Sequence, residues 1–91
     1  MSSTKNSLAS LALDLNRVAI GLNRGSKKMA ERFFQEALVR KSEVNTEDVP
    51  AYIKSVMAKI ESNRNLDNQF AEEVLVYSTL IENYVTKNFT P

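Results

Sequence analysis

The chain has 91 residues, with 12 Lys/Arg against 11 Asp/Glu, and contains no histidine, cysteine or tryptophan. At this length the chain cannot be split into pieces that each bury an adequate core, so residues 1–91 read as a single helical domain. Without cysteine and histidine there are no disulfide staples, thiolate nucleophiles, Cys/His zinc sites or imidazole acid–base pairs, and proton chemistry is left to carboxylates, lysines and tyrosines.

The first predicted element is a helix from about Thr4 to Asn23. Leu8, Leu11, Leu15, Val18 and Leu22 recur every three or four residues, forming one apolar stripe flanked by Ala12 and Ala19. Asp14, Asn16 and Arg17 interrupt the apolar run, so this segment reads as neither signal peptide nor anchor. No stretch approaches the roughly 18 to 20 apolar residues that span a bilayer, and the expected location is the cytoplasm, with no membrane partner. Gly25 suits the left-handed position that follows a helix end, and Ser26 suits the N-cap of the next helix.

The second helix is predicted from Lys27 to about Glu43. Met29, Ala30, Phe33, Phe34, Ala37 and Leu38 occupy one half of its circumference, with Glu31, Arg32, Gln35 and Glu36 opposite. Arg40 and Lys41 fall in its last turns, where cations meet the negative end of the macrodipole. For the third helix Asp48 is the expected N-cap, which places Pro50 at the second helical position, where its missing N–H costs nothing. Val49, Tyr52, Ile53, Val56, Met57 and Ile60 form its stripe, and the helix ends near Ser62 or Asn63.

A short turn at Asn63–Asn65 then leads into a fourth helix from about Leu66 to Asn88. Leu66, Phe70, Val74, Tyr77, Ile81 and Tyr84 keep helical spacing throughout, and length and period outweigh the strand-like composition of EVLVYSTLI. With turns near Arg24–Ser26, Val44–Asp48 and Asn63–Asn65, the expected fold is all-α, an antiparallel four-helix up-down-up-down bundle.

Two of these helices carry more apolar surface than the outer helix of a bundle needs. Ala9, Leu13 and Ile20 form a second strip on the first helix, about 120° from the main stripe, and Leu75, Val76 and Leu80 lie off the main face of the fourth. Either the fourth helix is central and enclosed by its neighbours, or the surplus is an exposed patch that closes a homodimer or receives another protein. We expect the second, with Ala9, Leu13, Ile20, Val76 and Leu80 as interface residues.

No catalytic constellation emerges from the residues present. Di-iron bundles need Glu-x-x-His pairs. Helical magnesium-dependent pyrophosphohydrolases need acids at i and i+3, and no glutamate has an acid three residues further on. Glu72 and Glu73, being adjacent, point about 100° apart on a helix and cannot share a proton or a metal. We therefore expect no enzyme, no metal and no cofactor.

At the junction of the first two helices Arg24, Ser26, Lys27, Lys28 and Arg32 form a basic corner. The helix start offers free N–H groups and a positive dipole end to phosphate or carboxylate, and Lys28 and Arg32 share a face at i and i+4. Arg24, however, complements the negative end of the first helix, and Glu31 and Glu36 interrupt the exposed face of the second. Residues 1–43 hold 8 Lys/Arg and 4 Asp/Glu while residues 44–91 hold 4 and 7, a split small enough for helices to balance within one bundle. The expected function is a small non-catalytic helical interaction module, an adaptor or regulatory subunit acting through an apolar helix face. Nucleic-acid or phosphate-ligand binding at the basic corner is the alternative.

Overall fold

The computed structural model describes residues 3–62 and 66–89, and the turn expected at Asn63–Asn65 lies outside them. Four α-helices run in order, α1 Ser3–Asn23, α2 Lys27–Glu43, α3 Ala51–Ser62 and α4 Asn68–Phe89. Among the described residues there is no strand, and EVLVYSTLI lies wholly inside α4.

The α1–α2 turn follows from its three residues. Gly25 takes φ 75°, the Gly25 N–H donates to the Leu22 carbonyl at 3.1 Å, and the Ser26 N–H donates to the Gly21 carbonyl at 2.8 Å. This crossed pair of bonds satisfies carbonyls that α1 would otherwise leave open, and only a left-handed residue at Gly25 permits it. Ser26 then caps α2, its hydroxyl accepting the Met29 N–H at 3.3 Å.

α1 is the central helix and packs along both α2 and α4. Leu8, Leu11, Leu15 and Val18 are fully buried, with Phe34 of α2 and Phe70 of α4 meeting edge to face at a centroid distance of 5.8 Å. Gly21 is also part of this packing. A Cβ built on it would stand 2.9 Å from the Ala30 backbone nitrogen, so the bare backbone is what lets α2 approach. On the other flank the buried Ser78 hydroxyl donates to the Ala12 carbonyl at 2.7 Å, tying α4 to α1.

The start of α3 differs from expectation. Asp48 is not its N-cap: Thr46–Asp48 is a 3-10 turn capped by Asn45, whose side chain accepts the Glu47 N–H at 3.0 Å. Val49 is extended at φ −125° and ψ 150°, and the first bonds of α3 run from Ile53 and Lys54 to the Pro50 carbonyl, both at 3.1 Å. The physical reason is that a residue preceding proline is driven out of the helical region by the proline ring, so Val49 cannot be a first helical residue. Asp48 instead joins distant parts of the chain: Thr4 donates to its carboxylate at 3.0 Å and the Tyr84 hydroxyl to its carbonyl at 3.2 Å. Tyr52, expected in the α3 core stripe, is 50% exposed and meets Tyr84 edge to face. At the far end of α3, Glu61 pairs with Lys41 near the end of α2 at 3.2 Å.

Candidate functional site

The surplus apolar strip of α1 faces outward. Ala9 is exposed, Leu13 is 48% exposed and Ile20 is half-buried. Ala9 and Leu13 line a groove between α1 and α4 together with Asn16, Glu82, Val85 and Thr86. On α4, Val76 is 56% and Leu80 37% exposed, and they form a shallow apolar patch with Leu75 and Thr79. Of the five residues expected at an interface, Ala9 and Leu13 fall in one neighbourhood and Val76 and Leu80 in another, and Ile20 lines neither. Enclosure of α4, the other account of the surplus, does not hold, because α1 takes the central position and leaves this side of α4 open.

At the basic corner Arg24, Lys27, Lys28 and Arg32 are all exposed. The Ser26 hydroxyl is already engaged with the Met29 N–H, and the Ser26 carbonyl accepts the Ala30 N–H at 3.1 Å. Arg32 lies 5.6 Å from the centroid of the Phe33 ring, and Arg17 of α1 lies 5.2 Å from the same ring. Two guanidinium groups thus share one aromatic face region, a contact of about 0.5–1 kcal/mol each at exposed positions. The cations turned to solvent at the corner itself are Arg24, Lys27 and Lys28.

Sequence reasoning treated Asp14 only as an interruption of an apolar run. In the structure it is 4% exposed within the α1–α2 packing, and its Oδ2 has no hydrogen-bond partner among the described residues. Its Oδ1 stands 3.9 Å from Arg17 Nη1, at the outer limit of an ion pair. Burial pushes its carboxyl above the ordinary aspartate range and Glu36 adds to this, while Arg40 and Arg17 oppose it. The signal was present in the spacing, since Asp14 lies three residues after Leu11 and four before Val18, both core positions.

Asp14 and Tyr77 are both shifted toward their neutral forms, Asp14 by burial and then by Glu36, Tyr77 by burial and then by Glu73. Among the described residues no three carboxylates converge in a way that could hold a metal ion, and no helix is long and apolar enough to cross a membrane. Compared with protein-family models, with curated proteins and with solved structures, the chain matches none.

Proposed function

We propose that this protein is a small non-catalytic interaction module that associates with a second copy of itself through the outer apolar face of α1 and α4. The observation that carries the reading is the exposure of Leu13, Val76 and Leu80, large aliphatic side chains on two neighbouring helices. Val76 and Leu80 adjoin Leu75 in one apolar patch, with Leu13 in a second beside α4, and large exposed apolar patches are uncommon on a monomer. Burying each such side chain contributes on the order of 1.5 kcal/mol or more before the cost of association is subtracted. In the same reading α1 runs antiparallel to both neighbours, as the Ala12–Ser78 bond and the Arg17–Phe33 contact favour, in the manner of an up-down bundle.

Light scattering coupled to size exclusion at micromolar concentration tests the proposal. Wild type is expected at twice the 10.3 kDa chain mass, and Leu13→Lys combined with Val76→Lys is expected to be a folded monomer. Both positions are about half exposed, so the lysines have solvent to enter. A wild-type monomer defeats the homodimer and turns the face toward a foreign partner. A dimer that survives both substitutions places the contact elsewhere.

A further inference from the structure

The α1–α2 packing contains a charged cluster that the proposed interface does not use. Asp14 is more than nine-tenths buried between the two helices, and one of its two oxygens is without a hydrogen bond among the described residues. When the carboxyl is ionised, that buried oxygen has no hydrogen bond to offset its lost hydration. The charged groups acting on it are Arg17 on its own helix and Glu36 and Arg40 on α2. α4, packed on the other flank of α1, presents none that does. Neither arginine reaches Oδ2 with a hydrogen bond. Arg17 lies over the Phe33 ring and reaches only Oδ1, at 3.9 Å, and Arg40 pairs with Glu43 at 3.4 Å. Glu36 repels an ionised Asp14.

We propose that Asp14 is a pH-sensitive latch in the α1–α2 hairpin: protonated, it leaves α2 seated on α1, and ionised, it loosens that contact. The sign follows from the direction of the shift. The folded carboxyl is held above its unfolded value, so its contribution to stability is complete below the unfolded value and is lost as pH rises through the folded one. The seam that loosens includes Ala30, Phe34 and Ala37, the buried face of α2.

Three measurements on the full chain test this. In a carbon-13 NMR titration the Asp14 carboxyl is expected to titrate above the ordinary aspartate range, with Glu36→Gln lowering its midpoint and Arg40→Gln raising it. In urea unfolding, the wild-type midpoint is expected to fall relative to that of Asp14→Asn as pH rises from about 4 to about 7, a window between the ordinary carboxylate and histidine values. Amide exchange corrected for its intrinsic pH dependence is expected to show α2 losing protection over that interval in wild type and not in Asp14→Asn. A carboxyl that titrates at or below the ordinary value overturns the proposal, whether or not Asp14→Asn folds. Parallel pH profiles for the two proteins, or α2 protection that does not separate them, also overturn it. The carboxyl titration and the α2 protection report on the hairpin itself and stand whether or not the chain dimerises.

Discussion

Gly21 and Gly25 lie on the same turn of chain and are needed for different reasons. Gly25 has open space around it but a φ of 75°, so a side chain there is strained by its own backbone. Gly21 has ordinary helical geometry, and a Cβ there would meet the Ala30 nitrogen at 2.9 Å and its Cα at 3.2 Å, backbone atoms that can move only if α2 moves. Helix propensity alone favours Gly21→Ala by about 1 kcal/mol, whereas overpacking typically costs about 1–3 kcal/mol. We expect overpacking to win, with a net loss of about 1–2 kcal/mol in urea unfolding. A Gly21→Ala protein as stable as wild type would show that α2 can retreat without penalty. Gly25→Ala is expected to cost about 1 kcal/mol through the left-handed conformation, with no change in helix packing.

At the level of elements, the helix starts are set by local chemistry that differs from helix to helix. α2 begins at the Ser26 hydroxyl, and α4 begins at Asp67, whose carboxylate accepts the Phe70 N–H at 2.9 Å. Asp67→Ala is expected to cost about 1–2 kcal/mol and Ser26→Ala about 1 kcal/mol or less. The order follows from the shorter bond at Asp67 and from its negative charge beside the positive end of the α4 dipole. Thermal unfolding followed by circular dichroism at constant pH would rank the two, and a larger loss at Ser26 would contradict the dipole argument. Asp48 makes the opposite case. Because it anchors Thr4 and not the first turn of α3, Asp48→Ala is expected to leave helix content unchanged while freeing the start of α1, seen as faster amide exchange near Thr4.

In the whole molecule α1 carries the fold, with α2 on one flank and α4 on the other. Leu13 and Leu15 show the consequence, since two positions on a helix are about 200° apart. Leu15 is fully buried and Leu13 is 48% exposed. Leu15→Ala is expected to cost about 2–5 kcal/mol from lost burial and the cavity left behind, a large share of the roughly 5–15 kcal/mol that holds a domain together. Leu13→Lys is expected to stay within about 0.5 kcal/mol of wild type as a monomer, and to reveal its effect in association instead. Urea unfolding of both variants under dilute conditions separates the two roles. Equal losses would mean that the outward strip of α1 is covered within the fold.

The helical class, the extents of α1 and α2 and the αL glycine with its serine cap were legible because each rests on neighbours in sequence: apolar period, a φ preference and a side chain that reaches three residues along. The strand-like look of EVLVYSTLI misled no further than composition, since the period around it is helical. The start of α3 differs from the expected one because proline also keeps the preceding Val49 out of the helical region, which is again a local effect. Which helix lies at the centre, and therefore which apolar strip stays open to solvent, was decided by tertiary structure, because Leu13 and Leu15 differ only in what packs beside them. The same holds for Gly21, whose missing side chain matters only where Ala30 approaches, and for Asp14, a surface acid by type that the seating of α2 on α1 takes out of water.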